Sequence, residues 1–222
     1  MSRSIKFAFL CLTMFVCSFV CSCSNSTVWN MDSLNSTGGH KTTVLGTPKV
    51  IETEKGRAVE FDGAKDGLIV ESLPLAGAEK FTVEVLFRPD VDGPNSQRLI
   101  YMQEKDSKNR ITMAVETAPA DKNLWCLDTF IKCTTGSKNL YKTDKTRAKG
   151  QWYNAALVYD GQKMSHYLNG IEEASEKFLL TPLNDGKTSI GAKIDQSFWF
   201  KGVIYKIRFT PRALKPQELL KP

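Results

Sequence analysis

Two glycine turns within residues 150–174 leave this chain little choice of local fold. The stretch reads GQWYNAALVYDGQKMSHYLNGIEEA. Tyr153 to Tyr159 is apolar and rich in aromatic residues. Asp160-Gly161 follows, then Met164 to Leu168, then Asn169-Gly170, then Ile171 to Ala174. Asp-Gly and Asn-Gly supply the positive φ angles of tight hairpin turns. Strand-like runs joined by such dipeptides predict an antiparallel meander. The pattern is specific for that meander and silent about chemistry.

The rest of the chain repeats the theme. Val44 to Ile51 is a weak strand, and Pro48 places it at an edge. Arg57 to Phe61 alternates and Asp62-Gly63 turns it. Gly67 to Val70 is a short apolar strand. In Phe81 to Arg88 an apolar set (Phe81, Val83, Val85, Phe87) alternates with Thr82, Glu84, Leu86 and Arg88, as in a strand covering a core on one side. Leu99 to Gln103, Arg110 to Glu116, Leu124 to Lys132 (one strand or two), Thr188 to Lys193 and Trp199 to Phe209 follow. Lys215 to Lys221 predicts a short helical turn. Closely spaced strands without a long 3.6-residue period predict an all-β sandwich. At 222 residues one domain is the simplest account.

The first residues have a different character. Arg3 and Lys6 precede the apolar run Phe7 to Val20, the layout of a secretory signal. The run is shorter than the roughly 20 apolar residues that span a bilayer. Val20-Cys21-Ser22-Cys23 resembles the lipobox of bacterial lipoproteins. That resemblance implies a signal peptide over 1–22, cleavage before Cys23 and lipidation of Cys23. Each buried acyl methylene then contributes about 0.8 kcal/mol to anchoring. Residues 23–42 read as a lipidated, polar tether, and 43–222 as the folded domain. The expected location is the bacterial cell envelope, at the outer membrane or cell surface. Removing Arg3 and Lys6 lowers the formal charge from +6 to +4. That is too mild to point to nucleic acid. Lys138 to Lys149 holds five basic residues and one acid and reads as a solvated loop. A polyanion contact is its alternative. Of six cysteines, Cys126 and Cys133 remain in the domain. In an oxidising compartment they are either a bridge across a hairpin or two buried thiols.

The order of motifs resembles a known family. GRAVEFDGAKDGLIV, FTVEVLFRP, GQWYNAALVYDG with MSHYLNG, TSIGAK, and FKGVIYKIRFTPRALKPQEL resemble, in sequence, the strands of laminin-G-like domains. These belong to the concanavalin A-like lectin/glucanase superfamily. The resemblance covers about Val44 to Leu220 and implies a two-sheet antiparallel jelly-roll sandwich. It leaves function open, because the fold hosts lectins, glycosidases and adhesion modules. Glucanases of the superfamily carry Glu-x-Asp-x-x-Glu, two carboxylates for retaining hydrolysis plus a third. The nearest match is Glu60 to Lys65, which ends in Lys65 where the motif needs an acid. No complete acid/base pair is present, so the reading is a non-enzymatic binder of a glycan or glycoprotein. A protein-interaction module and a divergent glycosidase are the alternatives.

Sugar recognition needs an aromatic platform and polar side chains. Trp125, Tyr101 and Trp199 are the platform candidates, with Tyr205 behind them. Asp128, Arg88, Glu84 and Asn95 are the polar ones. Trp125 is singled out because it neighbours Asp128 in LWCLDTF. Trp152 and His166 read as core and as a surface or groove residue, respectively. Several relatives hold calcium, and the resemblance implies Asp62 and Asp66 as its ligands here. The matching closing run Ile204-Tyr205-Lys206 lacks the family's two acids.

Overall fold

A computed structural model describes residues 25–222. The signal segment and Cys23 lie outside the described residues. Seventeen strands run β1 (Thr27–Asn30), β2 (Ser36–Thr37), β3 (His40–Leu45), β4 (Lys49–Thr53), β5 (Gly56–Asp62), β6 (Gly67–Val70), β7 (Phe81–Pro89), β8 (Ser96–Glu104), β9 (Arg110–Ala118), β10 (Asp121–Cys133), β11 (Gly136–Tyr141), β12 (Arg147–Ala148), β13 (Tyr153–Tyr159), β14 (Lys163–Leu168), β15 (Ile171–Lys177), β16 (Gly186–Ile190) and β17 (Lys201–Thr210). A single 3₁₀ turn at Pro216–Glu218 replaces the expected helical turn.

Two antiparallel sheets result. The back sheet orders β15-β14-β13-β7-β17-β5-β4, with β1 also on β17. The front sheet orders β11-β10-β9-β8-β16-β6-β3-β2, with β12 on β10. The predicted meander is β13-β14-β15. Its second turn is the tight one: Asn169 and Gly170 both have positive φ, at 52° and 82°. At the first, Gly161 alone of the pair is positive, and Asp160 Oδ1 accepts the N–H groups of Gln162 and Lys163 instead. The Asp side chain thus closes that turn, as Asx turns do.

The core lies between the sheets. Phe81, Val83, Val85 and Phe87 of β7 meet Ile111, Met113 and Val115 of β9 and Leu127 and Ile131 of β10. Trp125 joins the two layers, with ring centroids 5.4 Å from Phe87 and 5.1 Å from Tyr153, both edge-on. Part of the outer face of the back sheet is covered too. Leu214 and Leu219 of the C-terminal strap pack on Ala156, Val158 and Tyr167. Thr82 Oγ1 accepts from Leu214 N–H at 2.9 Å and donates to Arg212 O at 2.9 Å.

Several expectations need correction. The segment read as a tether is folded: β1 pairs with β17, and Trp29 and Met31 are fully buried. Its polar composition hid two large apolar side chains at one sheet edge. Residues 44–51 are two strands broken at Gly46–Pro48, not one. Half of the basic run 138–149 is in β11 and β12, and only 142–145 between them is an exposed loop. Trp152 is half-buried on the outer side of the back sheet, where its Nε1–H donates to Glu54. His166 is fully buried and faces inward.

The disulfide is excluded by geometry. Cys126 and Cys133 share one strand, and seven steps of about 3.3 Å separate them by roughly 23 Å on opposite faces. Both are free, buried thiols. Alkylation of the unfolded, non-reduced chain is expected to label both. A mass-mapped Cys126–Cys133 cross-link would contradict the single-strand geometry.

Candidate functional site

The C-terminal strap covers the β7, β13 and β14 part of the back sheet's outer face, whereas no such strap lies over the outer face of the front sheet's strands β8 to β11 among the described residues. Register decides what that face displays. Tyr101 lies opposite Thr112, Thr112 opposite Phe130, and Phe130 opposite Asn139. The neighbouring row runs Arg98, Ala114, Asp128, Tyr141. Side chains alternate along a strand, and the bulge of β8 between Arg98 and Ile100 brings Arg98 and Tyr101 to the same face, so both rows point away from the core. Ala114 is small and leaves a low point between Arg98 and Asp128. The result is a hollow of about 240 Å³ lined by Arg98, Tyr101, Arg110, Thr112, Asp128, Phe130, Asn139, Lys193 and Phe198.

Three cations lie over its rings. Arg98 is 4.7 Å from the Phe198 centroid and Arg110 is 4.6 Å from Phe130. Lys193 is 5.2 Å from Phe198 and 5.8 Å from Tyr101. Such stacking contributes about 0.5–1 kcal/mol at exposed sites and holds the rings in place. Arg98 Nη1 also donates to Glu116 Oε1 at 3.0 Å, and Ser96 donates to the same oxygen at 2.7 Å. Glu116 is therefore occupied with its neighbours. Asp128 is the carboxylate that lines the hollow, and Asn139 Nδ2–H donates to its Oδ1 at 2.5 Å. Burial holds the Asp128 carboxyl above its ordinary range, while the Asn139 hydrogen bond opposes that shift. The charge of Glu116 adds to the rise and Arg98 counters it.

Phe198 is the unusual member. It is 43 % exposed, and its φ is +57°. A bulky residue in the left-handed region is a conformational outlier. Such strain costs of order 1–3 kcal/mol and persists only where its surroundings enforce it. Here Arg98 N–H donates to Phe198 O at 2.9 Å, and the turn is closed by Lys193 N–H to Ser197 O at 2.9 Å. The fold thus holds an apolar ring out in solvent at a conformational cost.

The structure gathers only part of the expected set. Tyr101 and Asp128 share the hollow. Trp125 does not: it is 0 % exposed, facing the core one residue out of phase with Cys126. Glu84 is on the other sheet, fully buried under the C-terminal strap, and is paired with Arg208 rather than near a ligand face. Arg88 is also on the back sheet, 5.5 Å from the Trp152 ring. Trp199 is half-buried over Gly67, while its neighbour Phe198 projects. Asp62 is a loop cap. Its Oδ1 accepts N–H groups from Ala64, Lys65 and Asp66 at 2.9, 2.9 and 3.0 Å. Burial alone would raise that carboxyl, and these bonds outweigh it, leaving it below the usual range. Asp66 Oδ1 accepts Thr47 N–H at 2.7 Å. No group of three or more His, Cys, Asp or Glu suited to a metal occurs among the described residues. The calcium expectation at Asp62 and Asp66 therefore gains no geometric support. Arg98, Arg110, Phe130, Asn139, Lys193 and Phe198 were not foreseen. Phe130 was accessible, two residues from Asp128 on one face of one strand; Phe198, on a loop, was not.

A larger hollow of about 550 Å³ has Gln103 and Lys187 among its walls. It is lined by loop acids and lysines without an aromatic ring. Its Glu104 is held by Asn184 and Asn109. The aromatic hollow is the better recognition surface, because ligand sites combine apolar walls with a few placed polar groups.

Two antiparallel sheets of eight and nine strands packed face to face are the jelly-roll sandwich of a concanavalin A-like domain. The chain belongs to the Laminin_G_3 family of the concanavalin A-like lectin/glucanases superfamily, whose model matches residues 62–220. That superfamily contains both glycoside hydrolases and non-enzymatic binding domains. Among solved structures, domain 4 of AbnA, a GH43 extracellular arabinanase from Geobacillus stearothermophilus in complex with arabinotriose, is similar. It shares 18% identity at a TM-score of 0.65, over 86% of this chain and 94% of that one. The receptor binding domain of botulinum neurotoxin C/D mosaic serotype is 13% identical, with a TM-score of 0.62, over 87% of this chain and 49% of that one. The binding domain of botulinum neurotoxin DC in complex with SialylT is 11% identical, with a TM-score of 0.61, over 87% and 49%. The chain thus spans about half the length of these toxin domains. Likeness at these identities establishes the fold alone. No curated protein sequence matches this chain.

Proposed function

We propose that this chain binds a glycan, without cleaving it, on the open face of the front sheet. The observation that carries the reading is Phe198, held exposed at φ +57° above a hollow with Tyr101, Phe130 and the Asp128–Asn139 pair. An exposed ring suits the C–H face of a sugar, and the paired carboxyl and amide suit its hydroxyls. Hydrolysis by either stereochemical course uses two carboxyl groups flanking the bond. Among the described residues Asp128 is the one carboxylate lining this hollow. The arabinotriose and SialylT complexes of proteins with this fold support a saccharide as the ligand class. The sequence adds a lipid anchor at Cys23 and a place in the bacterial cell envelope to the proposal.

A glycan array followed by titration of the hit tests it. Phe130→Ala and Asp128→Asn are each expected to weaken binding about tenfold, or ~1.4 kcal/mol, without changing the melting temperature. Trp152→Ala, on the other sheet, is expected to leave binding unchanged. An empty array, or a hit indifferent to both hollow substitutions, would overturn the assignment and move attention to protein partners.

A further inference from the structure

The basic run that ends at Lys149 contains one lysine that is not solvated. Lys149 is 7 % exposed. Its backbone is fixed on both sides, Lys149 N–H donating to Asn123 O at 3.1 Å and Gly150 N–H to Pro89 O at 2.7 Å. Its Nζ donates to the Thr117 hydroxyl at 3.1 Å. An ammonium has three donors to place, and this neutral oxygen takes one. Among the described residues no carboxylate forms an ion pair with it. The nearest influence of opposite charge is Asp92, whose carboxylate is engaged by Lys201 Nζ at 2.6 Å. Burial pulls the Lys149 amine below its ordinary range, and Asp92 restores only part of that.

A desolvated cation without a counter-charge is a costly arrangement. The cost is removed if an anion sits beside it. Lys149 forms one wall of a hollow of about 410 Å³ at the strand ends, with Asn95, Asn123, Lys122 and Asp92. Lys122 supplies a second positive charge, and Lys201 offsets Asp92. The two amides can donate to and accept from hydroxyl groups. We infer that this hollow binds the carboxylate or sulfate ester of an acidic saccharide, with Lys149 as the counter-cation and Asn95 and Asn123 reading adjacent hydroxyls. It lies at the loop rim, apart from the Phe130–Phe198 hollow on the sheet face, and stands whether or not that face binds a glycan.

The test is the thermal midpoint of the purified chain titrated with sodium sulfate and with sodium glucuronate. Sodium chloride at matched ionic strength and neutral glucose are the references. A saturable rise of about 3 °C is expected at tenfold excess over Kd. A response to sulfate alone would assign a sulfate ester, and one to glucuronate alone a uronate. Lys149→Met keeps the apolar stem and removes the charge. It is expected to abolish the saturable rise while melting no lower than the parent chain. Equal responses in the two proteins, or none in the parent, would overturn the site. Should Lys149→Met not fold, the side-chain amide resonances of Asn95 and Asn123 in the parent chain decide. Saturable shifts with either anion support the site, and unmoved resonances overturn it.

Discussion

Glu84→Ala is expected to destabilise the fold by about 3–5 kcal/mol, the usual result of removing one partner from a buried ion pair. Glu84 is 0 % exposed at the centre of the back sheet's outer face. Its Oε1 accepts from Leu220 N–H at 2.7 Å and Asn154 Nδ2 at 3.2 Å. Its Oε2 accepts from Arg208 Nε at 2.5 Å. Arg208 in turn donates to Glu218 O at 2.8 Å, and Asn154 Nδ2 to Leu220 O at 3.0 Å. One carboxylate therefore ties a strand, its neighbour and the C-terminal strap together. Alanine would leave the guanidinium of Arg208 without its counter-charge, the Leu220 N–H without its acceptor and the Asn154 amide with Leu220 O alone. Chemical denaturation should show a urea midpoint lower by roughly 1–2 M, with faster hydrogen exchange at Leu219 and Leu220. Replacing Glu84 and Arg208 together by leucine should recover most of the loss, since apolar isosteres of a buried pair are often neutral. A loss under about 1 kcal/mol in the single variant would show that the apolar contacts of Leu214 and Leu219 hold the strap without it.

The same residue shows how far sequence reasoning reaches. Alternation in β7 correctly separates Glu84 from the core set of Phe81, Val83, Val85 and Phe87, and assigns it to the other face. Alternation cannot tell that this face is roofed by residues more than a hundred positions later, so a buried anchor looks like a surface ligand. Trp125 fails for the complementary reason. Its neighbour Asp128 is three residues away, and an odd separation on a strand puts the two on opposite faces. Phe130, two away, was the residue to choose. The strands were legible because turn dipeptides and alternation are local. The hollow was not, because its rows form from β8, β9, β10, β11 and a loop, and register between strands is not written in any one of them. Trp29 was missed because a four-residue strand at a sheet edge, flanked by polar residues, carries too short a pattern to detect. Cys126 and Cys133 stayed open between bridge and thiols because nothing local shows that β10 runs through thirteen residues without turning.

Lowering the pH from 6.5 to 4 is expected to remove roughly 3 kcal/mol of stability through His166 alone. His166 is fully buried between the sheets, where Nδ1 shares a hydrogen bond of 3.0 Å with Thr129 Oγ1. Its Nε2 has no hydrogen-bond partner among the described residues. A neutral imidazole tolerates that, whereas an imidazolium would expose a second charged N–H to an apolar wall. Burial accordingly drives the pKa from 6.5 to about 4, with Glu172 opposing and Lys142 assisting. Between those values the unfolded chain binds a proton at this site that the folded chain refuses, so stability rises with pH. The contribution is complete above the unfolded value near 6.5 and is lost progressively as the pH falls toward 4. The slope approaches about 1.4 kcal/mol per pH unit midway. Carboxylates with lowered pKa add their own acid sensitivity, so the comparison must be with His166→Gln, which keeps a hydrogen-bonding group toward Thr129 and does not titrate. The difference in unfolding free energy between the two proteins should shift by about 3 kcal/mol in the variant's favour from pH 7 to pH 4. Parallel stability curves would mean that the folded core accepts the proton, and that the Thr129–His166 contact opens to water in acid.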